Sequence, residues 1–258
     1  MKRLTDAEIC SAADLLVGAR EGRVTLAGLP PELTPEHTAD VQRIIDAVSA
    51  RVDRPVVGWK TYTVYKPLQP PFHAPIYDLL PSGSEIPAGI SPGRLIEPEV
   101  MVRADRDLPA RDGPYAIGEI AGAVTAVVGF EVIGSRYRSD GELGEGSLYG
   151  SYADHIANGC IVVGDPIAGW QEVAFEDVRL RVTEGERGLA AVVGCHPFDN
   201  PFLPVIVAVN RLRRTCGVTA GQVIVTSSST SFFPVQTGAV IRAVYERLGE
   251  VTAAFGHS

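Results

Sequence analysis

Glu97 and Glu99 flank a proline in the run Glu97-Pro98-Glu99-Val100-Met101-Val102, and a third glutamate, Glu131, stands inside the apolar run 126–133. On a strand, residues two apart face the same way at a separation of roughly 6.6 Å. Glu97 and Glu99 then point together and repel unless something cationic lies between them. An ionised glutamate in an apolar run is costly unless it is paired or metal-bound. Three such carboxylates, with water completing the shell, suit Mg2+ or Mn2+, which prefer hard oxygen ligands. Pro98 lacks an N–H, which places the segment at the start or edge of a strand, where a site can open. The spacing also admits a plainer arrangement: Glu97 and Glu99 as a solvated edge, with Glu131 paired to Arg136.

The elements that must position these residues change character along the chain. Thr5 and Glu8 have capping-box spacing, and Ile9, Ala12, Ala13, Leu15, Leu16 and Ala19 follow at helical intervals. Thr34-Pro35 reads as an N-cap with proline at the first helical position, ahead of the stripe Val41, Ile44, Ile45, Val48. Residues 1 to 52 are therefore expected to be a two-helix N-terminal element, and 53 to 258 the domain that carries the site. Beyond Val56 the runs 100–102, 127–133, 160–163, 178–182, 223–225 and 239–245 read as strands. Ile117 to about Val127 and Phe202 to about Arg214 read as helices, and the Gly- and Ser-rich stretch 139–152 as a surface loop. The expectation is an α+β, mostly-β mixed domain rather than regular βαβ alternation.

The bulk properties exclude several classes. The 258-residue chain carries a net charge of −8, the wrong sign for neutralising nucleic-acid phosphates. No apolar run approaches membrane-spanning length, and the start lacks a signal-peptide pattern, so a soluble cytoplasmic protein is expected. Cys10, Cys160, Cys195 and Cys216 form no CxxC pair and read as buried free thiols.

An ordered set of segments resembles the fumarylacetoacetate hydrolase superfamily, in its 2-keto-4-pentenoate hydratase and 4-oxalocrotonate decarboxylase branch. The segments are Gly58-Trp59-Lys60, Glu97-Pro98-Glu99-Val100, Asp107-Leu108-Pro109 and the run from Phe130 to Arg136, followed by Cys195-His196-Pro197, the run from Ala220 to Thr226, and Leu248-Gly249-Glu250-Val251. The resemblance implies a mixed β-roll, homo-oligomeric assembly and a divalent metal on Glu97, Glu99 and Glu131 that chelates a small 2-oxo acid substrate. It puts Lys60 in the proton-relay position and Thr226 near the substrate. Arg136 then either orients a substrate carboxylate through its planar fork or pairs with Glu131.

Three departures bear on the reaction. Where hydratases of this branch carry a Pro-Asp-Phe-Gly-like stretch, this chain has Gln69-Pro70-Pro71-Phe72-His73, so the acid is missing and His73 is the replacement general acid or base to consider. The Ala-Asp-Asn-Ala stretch becomes Ala153-Asp154-His155-Ile156-Ala157-Asn158, keeping Asp154 as a candidate substrate contact, behind a glycine-rich segment that is a candidate lid. The Thr-Gly near the end becomes Thr226-Ser227, which narrows the pocket or adds a hydroxyl donor. The expected activity is a metal-dependent lyase that hydrates a 2-hydroxydienoate or decarboxylates a vinylogous 2-oxo diacid. A carbon–carbon hydrolase, a 2-oxo acid tautomerase and a non-catalytic pathway scaffold are the alternatives.

Overall fold

The computed structural model describes residues 2–62, 72–138 and 147–256. The helices are α1 (Asp6–Arg20), α2 (Thr38–Ser49), α3 (Ile117–Ala121), α4 (Leu148–Ala153) and α5 (Phe202–Leu212). The strands are β1 (Gly58–Tyr62), β2 (Phe72–Ile76), β3 (Leu79–Pro81), β4 (Ser84–Ile86), β5 (Leu95–Ala104), β6 (Val124–Ile133) and β7 (Asn158–Pro166), then β8 (Arg179–Glu184), β9 (Arg187–Val193), β10 (Val223–Val225), β11 (Phe233–Pro234), β12 (Val240–Tyr245) and β13 (Gly249–Phe255). One sheet runs β2-β1-β10-β5-β6-β7-β3, with β11 also pairing with β5; a second runs β4-β13-β12-β8-β9. This is the expected α+β, mostly-β architecture. Among the described residues, no helix is long and apolar enough to cross a membrane.

The large sheet is buried on both faces, and side-chain alternation assigns each face a task. Val100, Val102, Val128, Phe130, Val132 and Val162 point toward α5 and the second sheet, forming the main core with Ile241, Ala243 and Phe255. The intervening positions Met101, Val127 and Ile161 pack on the opposite face with Ile76, Val223 and Val225. Glu97, Glu99 and Glu131 share the parity of this second face.

The N-terminal helices reach that face through α2. Thr5 caps α1 with the expected capping box, and α1 packs its Ile9, Ala12, Ala13 and Leu16 against Ile44 and Val48 of α2. Val41 and Ile45, on the next stripe of α2, pack on Phe72, Ala74 and Ile156. Two apolar stripes let one helix tie α1 to the sheet.

Several sequence expectations need correction. Helix α2 begins at Thr38, with His37 as N-cap, while the Thr34 hydroxyl donates to the carbonyls of Leu29 (3.1 Å) and Pro30 (3.0 Å) and closes the preceding turn. The helix expected over 117–127 stops at Ala121, because the apolar run after it is the start of β6, buried on both faces and so without alternation. Part of the expected loop 139–152 is helical: Ser147 caps α4. The glycines of the candidate lid, Gly141, Gly144 and Gly146, lie outside the described residues, as do Gln69, Pro70 and Pro71. Cys160 and Cys195 are buried as expected, whereas Cys10 and Cys216 are exposed.

Candidate metal centre

Antiparallel pairing of β5 with β6 puts Glu97 directly opposite Glu131 and Glu99 opposite Gly129. Directly opposed residues share a face, so all three carboxylates converge, and each offers an oxygen within 4.8 Å of the others. Gly129 is required there: a Cβ at this position would lie 2.8 Å from Met101 Sδ and 2.9 Å from the Val162 carbonyl oxygen.

Pro98 sits in the middle of β5 rather than at a strand start, and the sheet accommodates it with a gap. On that side of β5, β10 covers Val102 and Arg103 and β11 covers Leu95 and Ile96, which leaves the glutamate segment without a partner strand. The Pro98 carbonyl faces the gap, where it accepts from Ser228 Oγ at 2.6 Å. The N–H that proline lacks would have pointed the same way. Because β10 stops at Val225, the chain then turns, and the backbone N–H groups of Thr226 and Ser227 both donate to Glu99 Oε2 at 3.1 Å.

Lys60 reaches the cluster from β1, where it is in register with Val225. Its Nζ lies 2.5 Å from Glu131 Oε1 and donates to the Ile156 carbonyl at 3.0 Å. Asn158 Nδ2 donates to the same Glu131 oxygen at 3.2 Å. Glu131 Oε2 is buried and has no hydrogen-bond partner among the described residues.

Charge crowding sets the protonation of the cluster. Burial first, then the charge of Glu131, pushes Glu97 up to about 7, with Lys60 pulling the other way. Burial, Glu131 and Glu97 push Glu99 well above the carboxylate range. Burial disfavours the Lys60 ammonium, but Glu131, Glu97 and Glu99 outweigh it and raise its pKa. Fully ionised, three carboxylates and one ammonium leave two negative charges, which match a divalent cation. The orphan Oε2 of Glu131, the all-oxygen donor set and this balance fit Mg2+ or Mn2+.

A strained segment positions the far side of the cluster. His155, Ile156 and Ala157 have φ of 49°, 56° and 53°. Three consecutive non-glycine residues in the left-handed region are uncommon, and a β-branched residue there is an outlier costing about 1–3 kcal/mol. The turn is held by Asp154, which accepts from the Nε and backbone N–H of Arg136, while Arg136 Nη1 and Nη2 donate to the carbonyls of Asn158 (2.6 Å) and Asp154 (2.5 Å). From the other side, Arg20 Nη2 lies 3.1 Å from His155 Nδ1. Burial, then Arg20 and Arg136, keeps His155 neutral, well below the usual histidine value. The conformation aims the Ile156 carbonyl at Lys60 and carries Asn158 to Glu131.

The structure thus gathers Glu97, Glu99, Glu131 and Lys60, with Thr226 and Ser227 behind Glu99. Other expectations shift. Arg136 pairs with Asp154 rather than with Glu131, so both side chains are engaged in shaping the turn. The Thr226 hydroxyl donates to the Val100 carbonyl, leaving its backbone N–H as its contribution to the site. His73 is in register with Thr61, the neighbour of Lys60, so alternation places it on the other face of the sheet from Lys60. There its ring meets Trp59 edge-on at 5.5 Å, its Nδ1 accepts from Arg211 Nε at 3.0 Å, and burial lowers it to about 4. It is removed from the carboxylates by geometry. The sequence reading gives no role to Asn158, although it closes the stretch 153–158 and stands at the head of the apolar run 160–163.

No protein-family model matches the chain, and neither does any curated protein sequence. Solved structures do. The chain is similar to 4-oxalocrotonate decarboxylase from Pseudomonas putida G7 complexed with magnesium and adipate, at 20% identity over 99% of this chain and 100% of that one, with a TM-score of 0.78. The same enzyme complexed with calcium and acetate gives 0.77 at 20% identity over the same shares, 99% and 100%. A 5-carboxymethyl-2-hydroxymuconate delta-isomerase from Mycobacterium smegmatis is 16% identical over 80% of this chain and 79% of its own, with a TM-score of 0.52. The chain has the fold of the fumarylacetoacetate hydrolase superfamily, matched from end to end by the form that 4-oxalocrotonate decarboxylase takes.

Proposed function

We propose that this chain is a divalent-metal-dependent lyase acting on a small 2-oxo acid or its dienol. The observation that carries the reading is the convergence of Glu97, Glu99 and Glu131 on one point, in contact with the buried ammonium of Lys60. Glu97, Glu99 and Glu131 would hold the cation, which, when bound, supplies a Lewis acid that polarises a 2-oxo acid.

The remaining work falls to this chain's own groups. The Thr226 and Ser227 N–H groups fix one oxygen of Glu99, so that its orientation is set before any ligand arrives. Asn158 and Lys60 do the same for Glu131. Lys60 Nζ, held by one carboxylate and one carbonyl, is the proton carrier at the edge of the cluster. Its pKa stands above the ordinary value because three carboxylates face it, and a dication on those carboxylates works in the opposite direction. Lys60 would therefore give its proton more readily with a cation on those carboxylates.

Between the two lyase outcomes, decarboxylation of a vinylogous 2-oxo diacid is the one to test first. The full-length likeness to a decarboxylase supports it, as does the loss of His73 as a substitute for the missing acid. The resemblance implies a glutamate–histidine pair that activates water in hydrolases of that superfamily; among the described residues no hydrogen bond joins these types, and His37 is the N-cap of α2. Expected partners are the substrate and further copies of the chain.

The test is turnover of a panel of 2-oxo dienoates, 2-oxo diacids and β-diketo acids, with Mn2+ or EDTA. Metal-dependent release of CO2 or addition of water is expected. Two acid products would indicate hydrolysis, an unchanged mass would indicate tautomerisation, and no metal-dependent change in any compound would sink the reading.

A further inference from the structure

At the β2 edge of the sheet, where Trp59 and His73 turn away from the carboxylates, a cavity of 480 Å³ lies between α2, β1–β2 and the end of α5. That volume is within the range of small-molecule sites, roughly 300–1,000 Å³. Its walls include the rings of Trp59, His73 and Tyr77, and Arg211 and Arg214 contribute guanidinium groups. Arg211 is aimed rather than loose: its Nε donates to His73 Nδ1 at 3.0 Å and its Nη2 to Gln42 Oε1 at 3.3 Å. His73 is in turn fixed by the same glutamine, whose side chain bonds both its backbone N–H (2.9 Å) and its carbonyl (3.1 Å). Three elements are therefore cross-linked around one guanidinium.

The charges lining the cavity do not balance. Arg54 is matched by Asp78, with contacts of 2.7 and 3.0 Å. Among the described residues neither Arg211 nor Arg214 forms an ion pair; Arg211 feels the charge of Asp46, and Arg214 repels it. One positive charge is left over beside an aromatic wall. A planar carboxylate answers both features, because guanidinium binds it through paired N–H donors and the rings stack on a flat apolar body.

We propose that this cavity is a second ligand site, separate from the metal centre, that takes a small monocarboxylate with a planar apolar body. Benzoate is the probe, titrated calorimetrically into the full chain in EDTA, so that the carboxylate cluster cannot recruit it through a metal. Saturable binding is expected. Benzyl alcohol, which keeps the ring and drops the charge, should bind at least tenfold more weakly, and so should inorganic phosphate, which keeps charge without the flat body. Arg211→Gln should weaken benzoate tenfold or more. Exposed Arg214→Gln, which leaves the internal bonds of Arg211 in place, should weaken it severalfold. Glu99→Gln should leave it unchanged. Three results would overturn the proposal: no saturable binding to the wild-type chain, equal binding to both arginine variants and wild type, or loss of binding in Glu99→Gln. The outcome is independent of the turnover panel, so the two readings stand or fall separately.

Discussion

Metal binding at the carboxylate cluster should be coupled to proton release, and the size of the coupling follows from burial and crowding. In the metal-free protein Glu97 titrates at about 7 instead of 4.5, chiefly because it is buried and secondly because Glu131 is charged. At about 1.4 kcal/mol per pKa unit this is a penalty on the order of 3 kcal/mol for ionising Glu97 in the folded chain. An acid raised on folding contributes stability that is complete below its unfolded value and disappears as pH climbs through its folded value. The metal-free protein should therefore lose about 3 kcal/mol from this group between pH 4.5 and pH 8. A dication requires the ionised form, so its affinity runs the other way. It should rise about tenfold per pH unit up to about 7, with about one proton released per ion in that range. Glu99, also raised, makes the slope steeper. Calorimetric titration of Mn2+ at pH 5.5, 6.5 and 7.5, in buffers of different ionisation enthalpy, reads affinity and proton count together. An affinity flat across that range, with no proton released, would refute the reasoning.

Lys60→Met should keep or tighten Mn2+ binding, since it removes a positive charge in contact with the carboxylates, while turnover falls about 10²–10⁴-fold with KM little changed; equal loss of binding and turnover would contradict the proton-carrier role. Asp154→Ala leaves the buried Arg136 guanidinium unpaired next to the strained turn, and should cost about 3–5 kcal/mol in urea unfolding. Ser227→Gly should raise the melting temperature, by an amount equivalent to about 1–3 kcal/mol, because Ser227 has a φ of 153°, in a region that favours glycine. Thr226→Val should cost stability through the lost hydroxyl bond to Val100 but leave Mn2+ affinity nearly intact, since the backbone N–H to Glu99 remains.

Local patterns gave the carboxylates away, and non-local pairing decided what they could do. Glu97 and Glu99 share a face by alternation alone, and Glu131 was conspicuous because its neighbours are apolar. Nothing local, however, places Glu131 opposite Glu97; that follows from the β5–β6 register. Register also removes His73: one residue of parity puts it on the far face, and the proline-rich stretch before it in sequence gives no hint. Proline is unfavourable within a paired strand, so the sequence places the glutamate segment at a strand start or edge. The gap between β10 and β11 satisfies the same rule in the middle of β5. β13 was missed although Val251, Ala253 and Phe255 alternate inward, a legible signal. β9 was harder, with mostly exposed or half-buried residues behind the turn at Gly185. The left-handed run at His155, Ile156 and Ala157 could not be anticipated, since none of these residue types favours it. It exists because Arg136 and Asp154 hold it, and their pairing is a tertiary fact.

The central claim is that Glu97, Glu99 and Glu131 form one divalent-cation site open to a 2-oxo acid. Electron paramagnetic resonance of Mn2+ added to the chelator-stripped protein tests it directly, with oxalate as a stable mimic of the enolised substrate. One Mn2+ should bind per chain, oxalate should change its spectrum by direct coordination, and Glu99→Gln and Glu131→Gln should each abolish the bound signal while the chain stays folded. Mn2+ bound equally well by both variants, or no bound ion at millimolar Mn2+ and pH 8, would contradict the account.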